Sequence, residues 1–186
     1  GLNFKKEEKF FFESLNLISA KPILYICNVD EESITNGNDF TSLVKKEVNE
    51  KETSIVIVSA AIESQIAEFK NEKERLELLK DLNLSETTLK KVINAGYNIL
   101  NLITYFTSGP KETRAWTIPQ NTKAPKAAGK IHSDFEKGFI RAETISYNDF
   151  IKMRGENACR EAGKLRQEGK DYIIKDGDIL HFLFNV

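Results

Sequence analysis

Two apolar runs constrain this chain most. Residues 22–29 read Pro-Ile-Leu-Tyr-Ile-Cys-Asn-Val and residues 54–59 read Ser-Ile-Val-Ile-Val-Ser. Each is continuously apolar over a strand's length instead of alternating, which predicts strands covered on both faces, as in parallel sheets. Between them lie a polar loop, Asn36-Gly37-Asn38-Asp39, and a helical segment over 40–48. Strand, helix and strand at this spacing predict a βαβ unit. Such strands need neighbours on their open edges, or they pair between copies. Cys27, inside the first run, reads as a buried thiol.

Before this unit, residues 4–19 mix charge with Phe10, Phe11, Phe12, Leu15 and Leu17, predicting a helix that packs on something. After it, Ile62, Ile66 and Phe69 recur at helical spacing, followed by Leu76, Leu79 and Leu82. Ser85 fits an N-cap, with Glu86 in the first turn, for a further helix through Leu89, Val92, Ile93 and Tyr97. These helices are expected to link two folding units, 1–100 and 101–186.

The pattern changes near Asn101. Residues 102–107 and 114–118 read as strands joined across Ser108-Gly109-Pro110. Residues 124–135 place Ala127, Ala128, Ile131 and Phe135 on one helical stripe, and 139–145 are strand-like. Residues 156–170 read as a helix-like run in which Glu156 and Arg160 form an i,i+4 pair. Asp176-Gly177, between Tyr172-Ile173-Ile174 and Ile179-Leu180, predicts a hairpin, because both turn residues tolerate positive φ. A hairpin, a crossing helix and a returning hairpin make a ubiquitin-like β-grasp.

Charge separates the halves. The net charge is −1 overall, but residues 1–102 carry 13 basic and 17 acidic side chains, and 103–186 carry 14 and 11. A mildly basic second part permits an RNA partner without demanding one. The two cysteines, Cys27 and Cys159, belong to no C-x-x-C pair, which argues against disulfide frameworks and zinc sites. No apolar run approaches membrane-spanning length. With no signal peptide either, a cytoplasmic setting without membrane partners is expected.

Three stretches together carry a resemblance. They are Arg114-Ala115-Trp116-Thr117-Ile118-Pro119, the run 128–142 with Gly129-Lys130-Ile131-His132-Ser133-Asp134 at its start, and the run 175–186 with Lys175-Asp176-Gly177-Asp178 at its start. In this order they resemble the TGS domain that ends the YchF/Obg-like ATPases, a branch of the P-loop GTPase class. The resemblance extends over nearly the whole chain and is weakest over 1–19 and 35–51. It implies a partial P-loop-NTPase-type βαβ half-domain followed by a TGS β-grasp, α/β plus α+β. It also implies the C-terminal part of a longer protein, consistent with an opening at Gly1-Leu2-Asn3 and a sole methionine at Met153.

The same resemblance marks a site. Asn28-Val29-Asp30-Glu31 follows the first apolar run, and ligands of open α/β sheets bind beyond the carboxyl ends of strands. GTPases place Asn-Lys-x-Asp there, and the Asp accepts from guanine. Glu31 stands in the Asp position and Val29 in the Lys position, resembling the N-x-x-E loop of the ATP-preferring YchF proteins. That implies that Asn28 contacts the base and Val29 offers backbone bonds and packing. Ser59-Ala60-Ala61 resembles the loop that backs the base through backbone N–H groups. Read alone, both tripeptide and tetrapeptide also fit a strand end, with acidic residues opening a helix. No G-x-x-x-x-G-K-[ST] occurs: Gly163-Lys164 has Ala158 and Leu165 where the motif needs Gly and Ser/Thr. ATP and Mg²⁺ are therefore expected of the intact protein, weak base contacts of this chain, and no hydrolysis by it alone.

A third set is basic: Lys111, Arg114, Lys123, Lys126, Lys130 and Arg141, with Lys152 and Arg154 beyond. Trp116, Phe139 and Tyr147 lie close in sequence, and basic residues with aromatics on a small sheet can bind RNA. The competing reading places the aromatics in the core and the lysines in solvent. His132 and His181 lack metal or nucleophile spacing and read as structural or surface residues. The resemblance implies association with ribosomes, with the TGS domain as the docking module. The alternative is a free-standing β-grasp adaptor for RNA or protein that binds no nucleotide.

Overall fold

The computed structural model describes residues 5–48, 53–109 and 112–185. It divides into two compact units, Gly1–Ile99 and Leu100–Val186.

In the first unit α1 (Lys6–Ser14) and a 3₁₀ turn (Ile18–Ala20) precede β1 (Ile23–Asn28), α2 (Asp39–Glu47) and β2 (Thr53–Val58). Helices α3 (Ala60–Glu68), α4 (Glu72–Asp81) and α5 (Thr88–Ile99) follow. β1 and β2 run parallel, in register from Ile23–Thr53 to Asn28–Val58, completing the expected βαβ crossover. Asn38 caps α2: its side chain accepts from Thr41 N–H, and Thr41 Oγ1 accepts from Asn38 N–H, a reciprocal capping box. The core is small, with Ile34, Ile62, Ile66, Leu79 and Leu84 buried together.

β1 departs from its expectation. It is not covered on both faces; Ile23, Tyr25 and Ile26 are exposed, and Cys27 is half-buried, not buried. The reason is layer count: the sheet has two strands, and among the described residues no third pairs with the outer edge of β1. Phe10, Phe11 and Ile18 are exposed likewise. Ser85 is not the cap of α5. That helix begins at Thr88, Thr87 Oγ1 accepts from Lys90 N–H, and a carboxylate from α3, Glu63, takes the remaining donors.

The second unit is a mixed five-stranded sheet in the order β4-β3-β7-β5-β6. Its elements are β3 (Leu102–Ser108), β4 (Thr113–Pro119), α6 (Ala124–Ile131), α7 (Ser133–Lys137) and β5 (Phe139–Ile145). They continue through α8 (Tyr147–Met153), α9 (Glu156–Glu161), β6 (Arg166–Glu168) and β7 (Ile179–Phe184). The β3–β4 hairpin, the crossing helix and a parallel β7 against β3 make the β-grasp. Ala124, Ala127 and Ala128 are fully buried, so α6 lies close against Tyr105, Ile118, Phe139, Ala142 and Phe182.

Three expectations for this unit are corrected. The helix over 124–135 is two helices, because His132 is extended (φ −158, ψ 144) and its Nδ1 accepts from Asp134 N–H to begin α7. The helical run over 156–170 ends at Glu161. Gly163 turns left-handed (φ 67) and Lys164 N–H bonds Cys159 O, after which Arg166–Glu168 pairs with β5. The Asp176-Gly177 turn forms, with Gly177 at φ 79, but its flanks do not make a hairpin. Ile173 bridges to Lys123, and β7 pairs with β5 and β3. A two-residue turn signal is local and does not name the partner strand.

Tyr105 sits at the centre of this core, fully buried, with its hydroxyl donating to Ala127 O at 2.8 Å. Burial raises its pKa above the ordinary tyrosine value. An unfolded tyrosine ionises near pH ~10. The stability held by the neutral phenol is therefore complete below about that pH and is lost as pH climbs towards the raised folded value. Tyr105→Phe should cost about 1 kcal/mol at neutral pH and flatten the alkaline fall in stability. Urea denaturation at neutral and strongly alkaline pH checks both effects.

Candidate functional site

The carboxyl ends of β1 and β2 bring the two base-side loops together. Val29 N–H donates to Val58 O at 2.9 Å, continuing the ladder one residue past the strands. Ala60 N–H donates to Asn28 Oδ1 at 3.0 Å, so the asparagine carbonyl caps the first residue of α3. That bond leaves the Asn28 amide N–H₂ to donate outward, and Asn28 is exposed. Ser59 is fully buried, makes no side-chain cap bond and, among the described residues, leaves its Oγ without a partner. Small side chains at Ala60 and Ala61, both exposed, keep the backbone accessible at this end of the sheet.

Glu31 is held to one side. Its Oε1 accepts from Gln65 Nε2 at 2.8 Å, tying the loop to the middle of α3. Asp30 turns the other way, accepting from Ser33 N–H at 2.9 Å, and its bonds to Ser33 hold its carboxyl below the usual carboxylate pKa. Gln65 escaped the sequence reading. Its signal was position: it lies one helical turn beyond Ala61, on the same face. Glu63, the acceptor at the start of α5, escaped too; nothing in its neighbourhood announces a partner 25 residues on.

The described members of the basic set are divided between β4, the loop before α6, α6 itself and β5. Lys111 lies outside the described residues. Arg114 is exposed on β4, with its guanidinium 4.5 Å from the centroid of the Trp116 ring. Lys123 is ion-paired with Asp171 at 2.7 Å and Lys126 with Glu136 at 2.5 Å. Lys130, one turn beyond Lys126 on α6, is exposed and makes no ion pair among the described residues. Arg141 lies on β5 next to buried Ala142, so it points to the opposite sheet face from α6, with its Nε buried and, among the described residues, without a partner. Of the aromatics, Phe139 is core, and Trp116 packs on the core with its Nε1–H donating to Thr107 Oγ1. Tyr147 is exposed, near Phe106. Arg160 bonds Glu156 as expected, and Glu143 as well. Among the described residues no group of three His, Cys, Asp or Glu could hold a metal ion, and no helix is long and apolar enough to cross a membrane.

Residues 102–185 match the family described as YchF-GTPase_C, a protein of unknown function (DUF933). Over its full length the chain is 54% identical to the ribosome-binding ATPase YchF of Escherichia coli O157:H7, covering 51% of that protein. It is 43% identical to the ribosome-binding ATPase YchF of Bacillus subtilis (strain 168), again covering 51%. The solved structure of the Schizosaccharomyces pombe YchF GTPase is similar at TM-score 0.83 and 40% identity, over 98% of this chain and 48% of that one. A GTP-binding protein from Pyrococcus horikoshii OT3 shares the fold at TM-score 0.61 and 18% identity, over 98% and 51%. The chain thus spans about half the length of the curated relatives it matches.

Proposed function

Because the chain belongs to the YchF family, matching its C-terminal part, we propose that it joins the base-reading side of a nucleotide site to a TGS docking module. The parent activity would be that of a ribosome-associated ATPase, and residues 1–100 and 101–186 would divide the two tasks. The observation that carries this reading is the bond from Ala60 N–H to Asn28 Oδ1, which locks two loops together where open α/β sheets bind ligands. The remaining donors of Asn28 suit the N7 acceptor common to both purines, so they bind a purine without choosing one. Choice falls to the Glu31 position. Gln65 draws that carboxylate to α3, away from a role in accepting from guanine, which favours ATP. Phosphate and Mg²⁺ contacts would come from a P-loop, a motif missing from these 186 residues, so this chain alone should hydrolyse nothing.

Asn28→Ala removes both the loop tie and the base donor. The expected result is a loss of about 1 kcal/mol of stability and of any adenine-induced shifts at Val29, Ala60 and Ala61 in NMR titration of this chain. Adenine shifts that survive Asn28→Ala would count against the base-side assignment.

Ribosome docking is assigned to the second unit, with the cytoplasm as its setting. Co-sedimentation with ribosomes at low and moderate salt tests it. We expect salt-sensitive binding that weakens when Lys123, Lys126 and Lys130 are neutralised, each phosphate contact lowering the salt slope by about one. Lys130→Ala alone should do most of this, because Lys123 and Lys126 are already paired with carboxylates. Binding insensitive to both salt and these changes would favour the β-grasp adaptor reading. The exposed edge of β1 also suits self-association between copies, which sedimentation of the free chain would register.

A further inference from the structure

The β-grasp unit contains a notch that no part of the nucleotide or ribosome reading uses. β3 is registered against β7 at one pair only, Phe106–Ile179, while β5 follows β7 to the pair Phe139–Phe184. Beyond Leu180, β7 is therefore paired on its β5 side alone among the described residues. Among the described residues nothing pairs with the opposite strand edge, which faces the last residues of β3, Thr107 and Ser108. Between them lies a cavity of about 500 Å³ whose walls are Trp116, Ile131, Phe135, Phe182 and Phe184, with Glu112 at its lip. Phe135 and Phe184 stack at 3.9 Å to form one wall.

We propose that this notch binds an extended peptide segment of a partner protein, added as a strand to the open edge of β7. Two independent features select that occupant. An unpaired strand edge presents backbone donors and acceptors at strand spacing, and only another extended backbone satisfies them in series. Side chains alternate along such a strand, so one of them enters the aromatic cavity, which has the size and lining for one large apolar or aromatic residue. The charge at the lip sets the flank: among the described residues Glu112 is the only formally charged side chain lining the cavity, so a basic residue beside the apolar anchor is complementary. The same carboxylate disfavours RNA. A phosphate would meet Glu112, and among the described residues the lining offers no lysine or arginine to offset it. This inference stands independently of the ribosome reading.

The test uses the full 186-residue chain as bait for a displayed library of ten-residue peptides, followed by NMR titration of a selected peptide. The expected peptides share one aromatic or large aliphatic residue with a neighbouring Lys or Arg. They should move the amides of residues 181–184 and lose about tenfold or more in affinity when N-methylated at alternate residues. Glu112→Lys, an exposed change with little risk to folding, should reverse the preference to peptides with Asp or Glu at the flanking position. Phe135→Ala should weaken binding by opening the cavity wall. The proposal is overturned by any of three results. The first is that no peptide is enriched, or that enriched peptides map away from β7. The second is that oligouridylate shifts the same amides and binds better to Glu112→Lys. The third is that the notch amides move with protein concentration alone, which would make a second copy the occupant.

Discussion

Gly138→Ala should lower the stability of the second unit by about 2–4 kcal/mol. The backbone torsions are not the cause, since Gly138 sits at φ −91, where any residue is at ease. The cause is proximity. An added Cβ would fall against the backbone carbonyl of Asn185, which is main chain and cannot rotate aside. Asn185 N–H donates to Gly138 O at 2.9 Å, so the crowding acts on the bond that closes the end of β7 onto β5. Relief requires the end of β7 to move, which breaks the Phe139–Phe184 pairing and the stacking of Phe135 on Phe184. Urea denaturation followed by near-UV circular dichroism reports this directly. A change below about 0.5 kcal/mol would mean that the strand end yields freely and does not hold the unit closed.

Glu63→Ala should cost about 2–3 kcal/mol, concentrated in the first unit. One carboxylate oxygen accepts from Thr88 N–H, from Thr88 Oγ1 at 2.7 Å and from Leu89 N–H at 3.1 Å. Thr88 is fully buried, so its donors have no water to turn to when the acceptor is removed. The carboxylate also sits at the N-terminal end of α5, where negative charge is favoured. Glu63→Gln keeps an acceptor oxygen but loses the charge, and about 1 kcal/mol is expected for it. Amide exchange over Thr88–Ile99, compared between the two variants and the parent, separates local fraying of α5 from global unfolding. Equal protection in all three would show that α5 is held by packing alone.

Much of the fold was legible because its signals are local. The runs over 22–29 and 54–59 announced strands, and the helix between them implied a parallel crossover. Ala127, Ala128, Ile131 and Phe135 announced one helical stripe, and all four lie in or against the core. Asn28 and Ser59-Ala60-Ala61 were found at strand ends, where β1 and β2 deliver them side by side. The misses arise where a distant group decides, or where the backbone of one residue ends an element. Burial of β1 depends on layers flanking it, which a run of apolar residues requests but cannot supply. The start of α5 depends on Glu63, and the ends of α6 and α9 on His132 and Gly163. The pairing after Asp176-Gly177 depends on Lys123 and Thr122 capturing residues 173 and 174.

By itself the sequence pointed to the family, to the β1-α2-β2 crossover and to the β3–β4 hairpin followed by α6 and β5, because side-chain periodicity and turn chemistry are written residue by residue. Tertiary structure alone decided which charges are spent. It paired Lys123 with Asp171 and Lys126 with Glu136, set Arg141 on the face away from α6, and drew Glu31 to Gln65. Among the described residues it also left the edge of β7 beyond Leu180 unpaired on its β3 side, beside an aromatic cavity. These are relations between residues far apart in the chain, and Coulomb attraction, hydrogen bonding and packing act on distance in space.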